Sequence, residues 1–64
     1  MIRTEDDDFV YTFESRQFET GETLWQCDVC RHGDAVSLVT SISLTSGMAA
    51  HEEARRALRR LNAA

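Results

Sequence analysis

Sixty-four residues fill one small domain and leave no room for a second, because chains below about 40 residues rarely keep a core unaided. Eleven acidic residues against seven arginines, with no lysine, set the net charge at −4, a sign that opposes indiscriminate nucleic-acid binding. No apolar run approaches the roughly 20 residues of a membrane helix, and Ile2 runs into Glu5-Asp6-Asp7-Asp8 without an apolar leader, so a cytoplasmic protein of the cell or, if viral, of the host is expected.

Residues 1–7 are charged and aperiodic and are expected as a flexible acidic arm ahead of a single domain over residues 8–64. From Phe9 the chain alternates, with Phe9, Tyr11 and Phe13 set against Val10, Thr12 and Glu14. This is the period of a half-buried strand, predicted to end near Phe18. Glu19-Thr20-Gly21-Glu22 supplies a turn, with glycine available for positive φ. In a second strand Trp25, Cys27 and Val29 share one face while Gln26 and Asp28 take the other. Arg31-His32-Gly33-Asp34 is the next turn. A third strand is predicted from Ala35 to about Leu44, with Val36, Leu38, Ile42 and Leu44 inward and Ser37, Ser41 and Ser43 outward. After Thr45-Ser46-Gly47 the period becomes helical, and Ala50, Ala54, Ala57, Leu58 and Leu61 form one apolar stripe. Short turns favour antiparallel neighbours. The expected fold is α+β: a three-stranded antiparallel meander packed on one face by a C-terminal helix, βββα in order.

Cys27 and Cys30 stand ahead of Gly33 as thiolates do in a zinc knuckle, and His32 and His51 would complete a four-ligand set, although their positions match no ligand spacing rule. The plain alternative makes Cys27 a small core residue and leaves Cys30 on the opposite face, with no cofactor. Thioredoxin-like chemistry needs such a pair at a helix N-terminus, where the dipole lowers the thiol pKa, and this pair lies on a strand. No orienting group or oxyanion site accompanies a Cys–His nucleophile, so no enzyme is expected.

At about 100° per residue, Arg55, Arg56, Arg59 and Arg60 fall away from the apolar stripe, where they can meet phosphates. Glu52 and Glu53 share that face and can pair with Arg55 and Arg56, which makes it equally a solvated charged face. The βββα order ending in Glu52-Glu53-Ala54-Arg55-Arg56-Ala57-Leu58 resembles the second half of a double-stranded-RNA-binding domain and the arm-binding domain of tyrosine integrases. That resemblance implies a nucleic-acid partner met through the helix. A domain of the first kind carries lysines where this chain has His51, Glu52 and Glu53, and a preceding helix that this chain lacks.

Residues 1–34 hold nine acids and three arginines, whereas residues 35–64 hold two acids and four arginines. Asp6, Asp7, Asp8, Glu14, Glu19, Glu22, Asp28 and Asp34 are therefore expected to form an extended negative surface able to occupy a groove meant for a phosphate backbone. In size and charge the chain resembles small phage-encoded inhibitors, among them anti-CRISPR proteins that mimic DNA. From Ala35 to Ala50 there is no charged side chain, and in a three-strand meander that segment is an edge. Natural edges carry charge, proline or bulges that discourage pairing. Ser37, Val39, Ser41 and Ser43 are accordingly expected to pair with a second copy in a homodimer or with a strand of a larger protein. The leading expectation is a non-enzymatic interaction module that inhibits or regulates a larger complex, with a nucleic-acid binder and a zinc-stabilised domain as the alternatives.

Overall fold

The computed structural model describes residues 2–63. Four strands, β1 (Ile2–Glu5), β2 (Phe9–Gln17), β3 (Thr23–Arg31) and β4 (Val39–Ser43), precede one helix, α1 (Gly47–Ala63). The strands lie in chain order in a single antiparallel sheet. The α+β architecture and the C-terminal helix follow the sequence; the number of strands does not.

The longest pairing joins β2 to β3 over nine residues, from Phe9 opposite Arg31 to Gln17 opposite Thr23. Their alternation was legible, and the connecting turn shows why the register holds. Gly21 sits at φ 92° and donates to the Phe18 carbonyl at 3.0 Å, while Phe18 N–H donates to the Glu22 carbonyl at 2.8 Å. A residue with a Cβ adopts that φ only with strain. Gly33 at φ 84° plays the equivalent part after β3, where Asp34 N–H reaches the Arg31 carbonyl at 3.1 Å.

The residues expected as a flexible arm supply the fourth strand. Ile2, Arg3, Thr4 and Glu5 pair with Phe13, Thr12, Tyr11 and Val10. Asp6 turns the chain by accepting the N–H groups of Asp8 and Phe9 on one carboxylate oxygen, at 2.9 and 2.8 Å. An aspartate that bonds the backbone two residues on is a local turn-former, so the corner is encoded at this residue.

The helix packs over β3 and β4 with a core of Tyr11, Cys27, Val29, Ala50, Ala54 and Leu58. Phe9, Phe13, Trp25 and Val39 pack around it. Ser46 caps α1 by accepting the Ala49 N–H at 3.0 Å. Trp25 lies against the backbone of Gly47, where an added Cβ would meet its ring at 3.2 Å. Leu61, expected in the buried stripe, is exposed near the helix end.

The third predicted strand is corrected in both extent and phase. It begins at Val39 instead of Ala35, so Val36, Ser37 and Leu38 lie in the loop from β3. On β4 it is Val39, Ser41 and Ser43 that face the helix, while Ile42 is 59% exposed. The reason is steric: Ala50 is fully buried against this strand, a close approach that small serines permit and leucine or isoleucine would block. The polarity of Ser41 is met internally, since its hydroxyl donates to the Ala50 carbonyl.

Candidate interaction surface

The helix covers β3, β4 and part of β2 on one face of the sheet and leaves the other face to solvent. On the open face the pairing lines up Arg3, Thr12, Asp28 and Thr40 in one row, and Glu14, Gln26 and Ile42 in the next. Asp28 is held within this face, accepting from Thr40 Oγ1 at 2.6 Å and Gln26 Nε2 at 3.0 Å.

The two edges differ in kind. The β1 edge is four residues long and carries Arg3 and Glu5, which pair with each other at 3.3 Å. The β4 edge carries no charge, proline or glycine. Ile42 within it and Val36, Leu38 and Leu44 on its flanks are large exposed apolar side chains. One edge is thus protected in the way natural sheets protect edges and the other is not.

The eight carboxylates expected to form one surface divide into three groups. Asp6, Asp7 and Asp8 in the β1–β2 corner and Asp34 after β3 share one end of the sheet, where His32 Nε2 donates to the Asp6 carbonyl at 2.8 Å. Glu19 and Glu22 lie in the β2–β3 turn at the other end. Nine strand residues at about 3.3 Å each put these two ends roughly 30 Å apart. Glu14 and Asp28 belong to the open face between them. The Asp6 carboxylate is also occupied: it takes the Tyr11 hydroxyl at 2.8 Å besides its backbone donors. The Phe9 amide and then the Tyr11 hydroxyl hold its pKa below the ordinary 3.8. Burial, and then the Asp6 contact, push the Tyr11 phenol up to about 12.

The arginine face is partly neutralised. Arg56 pairs with Glu53 at 2.6 Å and with Glu52 at 3.5 Å. Arg55 and Arg59 line a groove shared with Asp6 and Asp8. Arg59 and Arg60 are both exposed.

The four residues proposed as metal ligands do not converge. Cys27 is fully buried under the helix, and burial, with Asp28 next, pushes its thiol up to about 11. Cys30 lies on the opposite face, 3.8 Å from Ser37 Oγ. His32 is committed to Asp6, and His51 stacks edge-on against Tyr11 at 4.8 Å and Phe13 at 5.6 Å. A tetrahedral site needs all four donors within about 2.3 Å of one point, which two faces of a sheet cannot provide.

No family model matches the chain, and no curated protein or solved structure matches it.

Proposed function

We propose that this chain is a non-enzymatic protein-interaction module that docks by backbone pairing along β4 and inhibits or regulates a larger complex. The observation that carries this reading is the contrast between the two edges: charged and paired at β1, uncharged at β4, which carries exposed Ile42 and is flanked by exposed Val36, Leu38 and Leu44. An added strand takes its affinity from main-chain hydrogen bonds and its selectivity from side chains at alternate positions. Here Thr40 and Ile42 would meet the incoming strand on the open face. The net charge of −4, concentrated at the two sheet ends and on the open face, steers the module towards a basic partner. The division of those carboxylates into three groups favours steering over continuous mimicry of a phosphate backbone.

The test is affinity capture from the cell that makes the protein, run in parallel with wild type and Ile42→Lys. Residue 42 is solvent-facing, so the substitution leaves the core intact and places a charge on the edge. A partner held by wild type and lost by the variant supports docking through β4. Equal capture by both proteins rules it out.

A further inference from the structure

We infer that the strand received by β4 carries an arginine or lysine beside Thr40, paired with Asp28, and an apolar side chain two residues away beside Ile42. This rests on the reading of β4 as the docking edge and names the chemistry of its partner.

The main chain fixes where such a strand can bond. Phe18 N–H donates to the Glu22 carbonyl, one step beyond the Gln17–Thr23 pair. Even-numbered residues of β3 therefore bond to β2, and odd-numbered ones turn their N–H and C=O groups to β4. The Val29 carbonyl does so, accepting the Leu38 N–H at 2.7 Å. Trp25, Cys27 and Val29 stand opposite Ser43, Ser41 and Val39, so the main-chain groups of Thr40 and Ile42 point away from the sheet. A strand added there bonds to Thr40 and Ile42, and its side chains beside these two lie on the open face.

The open face then selects those side chains. Asp28, half-buried, stands next to Thr40 across the β3–β4 pair. Thr40 Oγ1 donates to its Oδ1 and Gln26 Nε2 to its Oδ2, which fixes the carboxylate and leaves each oxygen able to accept again. No cation pairs with it among the described residues. A position beside Thr40 on an added strand is two strand spacings from Asp28, about 10 Å, and arginine and lysine are the side chains long enough to close that gap, their stems lying over Thr40. A carboxylate in the same place would be repelled by Asp28 and by the net charge of −4. Beside Ile42 the surface changes character. Ile42 and Leu44 are exposed and apolar, and the β3 neighbour of Ile42 is the uncharged Gln26. An apolar side chain is buried there at no electrostatic cost.

NMR of the full chain, titrated with disulfide-closed β-hairpin peptides, tests the inference. The outer strand of the first peptide presents valine and arginine two residues apart on one face; the second peptide has glutamate in place of arginine. The arginine peptide should shift the Thr40 and Ile42 amides saturably, and the glutamate peptide should bind about tenfold more weakly or less. Asp28→Asn, which keeps the shape of the side chain, should weaken the arginine peptide about tenfold and narrow the gap between the two. Ile42→Lys should abolish the shifts. Peptides that bind alike, an Asp28→Asn chain that binds the arginine peptide as wild type does, or no shift at Thr40 and Ile42 overturns the inference. The capture comparison separates the two readings. Any of these results, with a partner still lost on Ile42→Lys, removes the cation and keeps β4 as the docking edge, whereas capture unaltered by Ile42→Lys removes both.

Discussion

The Tyr11 hydroxyl donates to the Asp6 carboxylate at 2.8 Å, tying the buried centre of β2 to the corner that delivers β1. Asp6 also takes two backbone N–H groups, so one carboxylate holds the turn and anchors a core side chain. Tyr11→Phe should lower the unfolding free energy by about 1 kcal/mol, the usual net worth of such a bond, as measured by urea denaturation. Asp6→Ala should cost more, because it removes all three bonds. The folded pKa of Asp6 is depressed, so its contribution is present above the unfolded value near 3.8 and disappears as pH falls through the lower folded value. Acid unfolding of Asp6→Ala should therefore be less steep in that range; an acid limb identical to wild type would contradict this role.

Alkali should weaken the fold for the opposite reason. Cys27 and Tyr11 are raised to about 11 and about 12 from ordinary values of 9.0 and 10.0. Their neutral forms favour the folded state fully below the unfolded values, and that advantage fades as pH rises through the folded ones. Melting temperature should decline progressively above about pH 9. At pH 8 a thiol reagent should label Cys30 well before Cys27, which is fully buried. Equal labelling rates in the native protein would show that the helix does not seal Cys27.

The helix start depends on one side chain. Ser46→Ala removes the acceptor for the Ala49 N–H and should cost about 1 kcal/mol, with a matching loss in Ser46→Val. No change in denaturation midpoint would mean that the cap is not used in solution.

Nucleic acid should bind weakly if at all. Arg56 is engaged by Glu52 and Glu53, and Arg55 and Arg59 border the acidic corner, leaving Arg60 as the helix cation best placed for phosphates. A gel shift with DNA or RNA should be confined to low salt, because few phosphate contacts give little affinity once counterions compete. A shift that survives moderate salt and vanishes in Arg59→Ala with Arg60→Ala would place the working surface on the helix.

The sequence announced β2, β3 and the helix because each has a long run of one period. Phe9, Tyr11 and Phe13, then Trp25, Cys27 and Val29, and then Ala50, Ala54 and Leu58 report their own burial. β1 escaped because four residues are too few to establish an alternation, and the stabilising partner of Ile2 is Phe13, far along the chain. Asp6 offered the missed signal, a turn-forming aspartate directly after Ile2-Arg3-Thr4-Glu5. The phase of β4 was misread because serine is normally an outward residue. Here the closeness of Ala50 selects for small size, and a helix carbonyl satisfies the Ser41 hydroxyl. As for the candidate surface, a stretch without charge is visible in composition alone. The grouping of the carboxylates is not, since it depends on which corners the turns bring to the same end.

Amide hydrogen exchange across Val39–Ser43, compared between the free protein and the protein bound to its captured partner, tests the pairing role of this strand most directly. The account predicts that exchange there slows in the complex, because the edge amides gain main-chain acceptors. Exchange as rapid in the complex as in the free protein would contradict it.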